Sequence, residues 1–143
     1  MGINSRFAVA VHILALLALE DRPLSSKYIA GSVNTNPVVI RRILSTLSKA
    51  GLIETQLGVD GGSTLARPAE KISLLEVYNV SEQGHLFALH SNQPNPLCPC
   101  GRNIQPTLLG VFKKAEAALE STLAEATIAE VVQDIVAQLQ SQS

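Results

Sequence analysis

The sequence has no tryptophan, two tyrosines and three phenylalanines, so aromatic side chains make up only 3% of its 143 residues. Cysteine is equally scarce, at two. A small secreted domain stapled by disulfides needs more thiols than that, and the default compartment for so few is the reducing cytoplasm. Charged residues are 16% against 46% apolar, which excludes a disordered chain, and nine glycines exclude a collagen-like one. No run approaches the roughly 20 apolar residues that span a bilayer. What remains is one compact domain with at most a short appendage.

The apolar stretch FAVAVHILALLALE, residues 7–20, resembles a signal-peptide core only superficially. Arg6 alone precedes it, His12 interrupts it, and EDRP follows where a small-residue cleavage site belongs. It reads as a helix apolar on most sides, buried against its own domain on one face and against a partner or second chain on the other. His12 is then expected to be packed and not a ligand.

An excess of positive charge is also missing: the formal net charge is -1. The distribution is uneven, however. Residues 1–71 hold eight basic and five acidic groups, a net of +3, whereas residues 72–143 hold three basic and seven acidic groups, a net of -4. Such asymmetry points to a polyanion-facing part joined to a part that faces something else.

Start and stop signals divide the chain. Pro23 closes the first helix, and Ser25 or Ser26 caps a short second one carrying Tyr28, Ile29 and Val33. Asn36-Pro37 is a further start signal, a side-chain cap followed by a proline where a missing N–H costs nothing. Ile40, Ile43, Leu44 and Leu47 then recur at helical spacing, with Arg41, Arg42, Ser45, Ser48 and Lys49 on the remaining surface. Gly51 ends that helix, and two short strands flank the flexible turn Gly58–Gly62. Ser73 and Glu76 form a capping box for a helix reaching to Gln83. Residues 84–105, with three prolines, both cysteines and two histidines, read as a connecting loop or a site. Beyond Pro106, Leu108, Phe112, Ala115, Leu119 and Leu123 lie on one stripe of a long helix, and Thr127 caps a final amphipathic one.

Short helix, tight turn, second helix and two-stranded ribbon is the order of a winged helix-turn-helix. The fold class is therefore mainly α with a small β-wing: a winged helix-turn-helix over residues 1–83, the loop 84–106, and dimerisation helices over 107–143. In such a head the second helix enters the major groove, side chains near its N-terminus reach base edges, and flanking cations neutralise phosphates. Asn36, Val38, Val39, Arg41 and Arg42 occupy those first turns. Arginine suits a guanine edge, and valine suits a thymine methyl. Lys27, Lys49, Arg6 and Arg67 are candidates for phosphate contacts, and the Gly61-Gly62 tip for close approach to the backbone or minor groove. Paired arginines also fit a merely solvated helix face, and it is the ordered succession of elements that favours DNA.

The segment from Leu24 to Tyr78 resembles the bacterial Rrf-two family of transcription regulators. The resemblance rests on Arg6-Phe7-Ala8, Ile29-Ala30, LSKAGLI at 47–53, the GGSTLAR wing and the following ISLLEV, and it continues into the C-terminal helices through Ala115, Leu119 and Thr127-Ile128-Ala129. It implies a homodimer on a palindromic double-stranded DNA operator, acting as a repressor in the cytoplasm. The stripe Leu108, Phe112, Ala115, Leu119 and Leu123 would be the dimer contact. It also implies a point of departure. Cluster-binding members place three cysteines before the long helix, and this chain has Cys98 and Cys100 alone, with Arg6 at about the place of an acidic ligand in the nitric-oxide sensors.

Two thiolates fall short of a cluster, so no cofactor is expected. Cys98-Pro99-Cys100 remains open to three readings: a reducible thiol pair that senses redox state, zinc bound together with His85 and His90, or inert residues. A metal- or cluster-sensing regulator of the same family, a winged-helix protein adaptor and a small thiol oxidoreductase are the alternatives. The oxidoreductase is disfavoured, because the chain lacks Cys-X-X-Cys spacing, a phosphate loop, a nucleophile elbow and paired catalytic carboxylates. No enzymatic activity and no membrane partner are expected.

Overall fold

A computed structural model describes residues 5–82, 84 and 86–142. The chain forms two compact units, one from residues 1–83 with 123–143 and the other from residues 84–122.

In the first unit α1 (Arg6–Glu20) runs through the core. Ala10, Ile13, Leu14 and Leu17 are buried at helical spacing, and the helix stops at Asp21, whose φ of 50° is left-handed. Its other side is less covered: Leu16 is half-buried and Leu19 exposed. His12 belongs to that outer side. It is exposed, with Nε2 2.9 Å from Ser32 Oγ, so the expectation of a packed histidine is corrected. The hydroxyl of a neighbouring helix partners the imidazole at the surface.

Helix α2 (Ser26–Val33) begins where the Ser25 side chain accepts the Tyr28 N–H. Helix α3 (Pro37–Lys49) begins where the Asn36 side chain accepts the Val38 N–H, with Pro37 at its first turn. Its inner face is Ile40, Ile43 and Leu47, and Gly51, at φ 78°, turns the chain into the wing. Strands β1 (Ile53–Gln56) and β2 (Gly62–Leu65) pair antiparallel, Ile53 opposite Leu65 and Gln56 opposite Gly62. A third pairing pins the wing to the head: Leu24 N–H donates to Ser63 O at 3.1 Å, and Ser63 N–H to Leu24 O at 2.8 Å. Gly62 makes this possible. Its φ is 149°, and a Cβ there would stand 2.5 Å from the Leu24 carbonyl oxygen.

Helix α4 (Leu74–Ser81) follows a single 3-10 turn and has the complete Ser73–Glu76 capping box. The C-terminal helix α6 (Ile128–Gln142) closes the same core. Leu74 N–H donates to Ala126 O, Ile128 N–H donates to Ile72 O, and Ile128 is fully buried beside α1 residues. Each such aliphatic side chain contributes about 1.5–3 kcal/mol relative to an exposed one. Of residues 107–143, expected as dimerisation helices, the start of α6 packs within the head's own core.

The second unit contains most of α5 (Pro99–Glu125), 27 residues long and about 40 Å by helical rise. The helix starts at Pro99 and continues through Pro106, so the loop expected over 84–106 is shorter than its sequence suggests. Pro106 lacks the N–H that would bond the Arg102 carbonyl, and the helix continues regardless. No residue of α5 is buried. The stripe Leu108, Phe112, Ala115, Leu119 and Leu123 is half-buried throughout, and the Phe112 ring stacks on Phe87 with centroids 4.6 Å apart. One face of Phe112, expected at a dimer contact, is thus already covered within the chain.

Candidate nucleic-acid interface

Helix α3 buries one stripe and presents the rest. Val38 and Val39 are 48% and 40% exposed, large values for valines in a small core-bearing helix, and Arg41, Arg42 and Lys49 are exposed as well. Asn36 is occupied differently: its Oδ1 accepts the Val38 N–H at 2.8 Å, so its first role is to cap the helix that carries the others.

Successive helical residues point about 100° apart, and this separates the two arginines. Arg41 faces the wing. With Ser45, Ser48, Lys49, Thr55 and Gly62 it lines a groove of about 470 Å³ between α3 and the ribbon, floored by Leu24, Leu44 and Ser63. Arg42 faces away, toward a hollow of about 190 Å³ that it shares with Arg6, Thr46, Val80 and Ser81. Arg6 is held there by donation from Nε to the Ser81 carbonyl at 3.3 Å. Four of the six sequence-predicted cations therefore fall in two places flanking α3, Arg41 and Lys49 on one side, Arg42 and Arg6 on the other.

Lys27 is exposed on α2 beside a third, shallow hollow lined by Ser25, Tyr28, Gly31 and Ser32. The start of α2 is tied to the end of α1 by neighbouring groups. Tyr28 donates its hydroxyl to Glu20, Arg22 pairs with Glu20 at 2.8 Å, and the Arg22 guanidinium lies 5.0 Å from the Tyr28 ring centre. The Glu20 hydrogen bond pushes the Tyr28 phenol above its ordinary pKa.

Arg67 departs from expectation. Its Nη2 pairs with Glu76 Oε1 at 2.9 Å, and Nη1 donates to the Lys71 carbonyl at 3.4 Å. It braces the wing's return against the α4 capping box, so the side chain expected to meet phosphate is engaged in structure. Partial burial pushes the Glu76 carboxyl up, but hydrogen bonds from the Ser73 backbone N–H and from Arg67 outweigh it and hold the carboxyl below its ordinary range. The glycines act through space. A Cβ on Gly61 would stand 2.2 Å from the Gln56 carbonyl, so the turn before β2 admits no side chain there without rearrangement.

Sequence reasoning did not single out the hydroxyls of Ser26, Ser45, Ser48 and Thr55, which share the groove with Arg41 and Lys49. Ser45 and Ser48 stand four and seven residues after Arg41, the spacing of one helix face, and that was the available signal. Thr55 and Ser26 join them only through tertiary packing.

Cys98 and Cys100 are exposed free thiols. Cys98 directly precedes α5 and its Sγ accepts the Gly101 N–H at 3.4 Å, while Cys100 stands in the first turn. Among the described residues no group of three or more His, Cys, Asp and Glu side chains is placed to hold a metal ion; His90 is exposed, and His85 lies outside the described residues. Two cysteines in the whole chain do not supply the usual donor set of an iron-sulfur cluster. No helix among the described residues is long and apolar enough to cross a membrane.

Residues 3–134 match the Rrf2 family, described as iron-dependent transcriptional regulators. The chain is 49% identical over 131 residues to a Bacillus subtilis protein named as an HTH-type transcriptional regulator, YwnA, covering 91% of this chain and 96% of that one. It is 31% identical over 135 residues to the HTH-type transcriptional regulator NsrR of Shouchella clausii, covering 92% and 89%. Among solved structures, one described as a DNA-binding protein superposes with a TM-score of 0.73 at 42% identity, covering 89% of this chain and 98% of that one. T. potens IscR shares the fold at a TM-score of 0.72 and 22% identity, over 94% and 88%. The wing, the capped α3 and the match across nearly the whole chain agree: the protein belongs to the Rrf2 family and is a winged helix-turn-helix, DNA-binding transcription regulator.

Proposed function

We propose that the protein acts as a homodimeric repressor on a palindromic operator, laying α3 in the major groove of each half-site. The observation that carries this reading is the α3–wing groove, where Arg41 and Lys49 stand with the hydroxyls of Ser26, Ser45, Ser48 and Thr55. Cations with adjacent hydroxyl donors are what a phosphate backbone requires. Val38 and Val39 offer apolar contact to thymine methyls, and Arg42 a bidentate partner for guanine, with Arg6 beside it for backbone. Dimerisation through α5 is supported by a 27-residue helix without one buried residue in its own chain.

The test is titration of an operator selected in vitro. Arg42→Ala is expected to lose about 1–3 kcal/mol and to relax preference at one base, whereas Arg41→Ala loses less, evenly across sequences, and shallows the salt slope by about one ion. Parent-like binding by both variants would reject the assignment of α3.

A second element of the reading concerns the signal. Both thiols are exposed, and Cys98 receives a backbone N–H at the start of α5. Placed at the end of the helix that supports dimerisation, a thiol pair is suited to release DNA on oxidation.

A further inference from the structure

The hollow beside Arg42 differs in kind from the groove beside Arg41. The groove sets its cations among hydroxyls, whereas the hollow of about 190 Å³ sets Arg42 and Arg6 beside an apolar floor of Ala10, Ile43, Leu47 and Val80. Ala10, Ile43 and Leu47 belong to the head's core and Val80 packs against it, so the floor is built by α1, α3 and α4 together and not by a loop. No aspartate or glutamate lines the hollow. Elsewhere in the head arginines are answered within the chain, Arg22 by Glu20 and Arg67 by Glu76. Among the described residues no such ion pair joins Arg42.

The walls are held in place. Arg6 donates from Nε to the Ser81 carbonyl at 3.3 Å, and the buried Ser81 hydroxyl donates to the Val77 carbonyl at 2.7 Å, which fixes the end of α4. Two guanidinium groups beside a hydrocarbon floor suit an anion that has a hydrocarbon body. A guanidinium fork takes a carboxylate in bidentate fashion, and the body displaces water from the floor. A bare phosphate answers the cations and leaves the floor wet. The volume is below the roughly 300–1,000 Å³ of sites for drug-sized molecules, so the occupant is a short-chain or single-ring carboxylate.

From this we infer that the hollow binds a small apolar carboxylate, its carboxylate on Arg42 and Arg6 and its body on Ile43, Leu47 and Val80, and that this ligand releases the operator. The second half rests on the reading of Arg42 as the residue that meets guanine. A guanidinium engaged by a carboxylate has no fork left for a base edge, and its charge is neutralised. Ligand and operator therefore compete for one side chain. By linkage, the operator weakens ligand binding by the same factor that the ligand weakens operator binding.

The test uses the full chain, with isovalerate, hexanoate and benzoate as probes and acetate and inorganic phosphate as controls at equal ionic strength. In methyl NMR of the DNA-free protein, at least one probe is expected to shift Ala10, Ile43, Leu47 and Val80, and Arg42→Ala to abolish the shifts. At saturation that probe is expected to weaken binding of an operator selected in vitro about tenfold, while the controls leave it unchanged. Val80→Phe and Thr46→Leu fill the hollow from α4 and from α3; both are expected to bind operator like the parent and to lose the response. Thermal melts check their folding, and Thr46→Leu, at an exposed position, decides if Val80→Phe does not fold. Absence of shifts with all three probes, or shifts confined to another part of the head, overturns the site. An equal effect of acetate or phosphate overturns the apolar carboxylate, as does a folded filling variant that still responds. Shifts in the hollow with unchanged operator affinity overturn the competition. A parent that selects no operator overturns the regulator reading itself, and the methyl shifts then still decide the site.

Discussion

Glu76 does two jobs with one carboxylate. It accepts the Ser73 N–H in the capping box and pairs with Arg67, which reaches it from the end of the wing. Losing the cap hydroxyl in Ser73→Ala should cost about 1 kcal/mol, read from urea unfolding. The ion pair contributes less, since Arg67 and Glu76 side chains are 37% and 41% exposed and water screens them. Its pH signature is nonetheless directional. The folded carboxyl titrates below its unfolded value, so its contribution is full above the ordinary carboxylate range and is lost as pH falls through the lowered value. Glu76→Gln should therefore flatten the fall in stability between about pH 7 and pH 3. An equally steep fall in the variant would show that other carboxylates carry the acid sensitivity. At this scale the sequence was legible where neighbours in the chain interact: Ser25, Asn36 and Ser73 cap as their positions predict. It was not legible for Arg67, nine residues from its partner, whose charge alone suggested phosphate.

Among the elements, α3 and the wing followed their patterns, and α5 did not. Proline spacing placed its start beyond Pro106, yet the helix begins at Pro99 and includes both the residue after Cys98 and Cys100. A proline costs a helix one hydrogen bond and a steric adjustment, about 3 kcal/mol in an isolated interior, and the surrounding turns can absorb it. The consequence is that Cys100 sits in the first turn of a helix, with Cys98 directly before it, and neither lies deep within a long connector. If oxidation at Cys98 or Cys100 releases DNA, operator affinity of the parent should fall on treatment with peroxide and recover with dithiothreitol, and Cys98→Ser/Cys100→Ser should show no change. A double variant that still responds to peroxide would remove the cysteines from signalling.

For the whole molecule, the informative quantity is what the single chain leaves uncovered. The first unit closes a core from α1 to α6, yet the outer side of α1 retains an apolar hollow of about 400 Å³ bordered by Leu16, Leu19, Val131 and Ile135. Helix α5 buries nothing fully, and Leu109 and Val111 are 44% and 56% exposed along it. So much uncovered apolar surface is characteristic of a chain that associates. Leu119→Asp, placed mid-stripe, should convert a dimer in sedimentation to monomer and reduce operator affinity at least tenfold, because each half-site is then held without its twin. A dimer of unchanged mass in this variant would move the contact off the stripe.

Periodicity, caps and the glycine-bearing turn were sufficient to define the winged helix-turn-helix, because a helix start or a hairpin is determined within a few residues of itself. The family resemblance carried those elements to a DNA-binding regulator. Tertiary structure alone decided how the functional side chains divide: Arg41 toward the wing, Arg42 toward Arg6, Arg67 into an ion pair, and α6 into the head's core. Those outcomes depend on which surfaces meet across long stretches of chain. Charge and spacing in a sequence say that a side chain is available, and packing determines what it reaches.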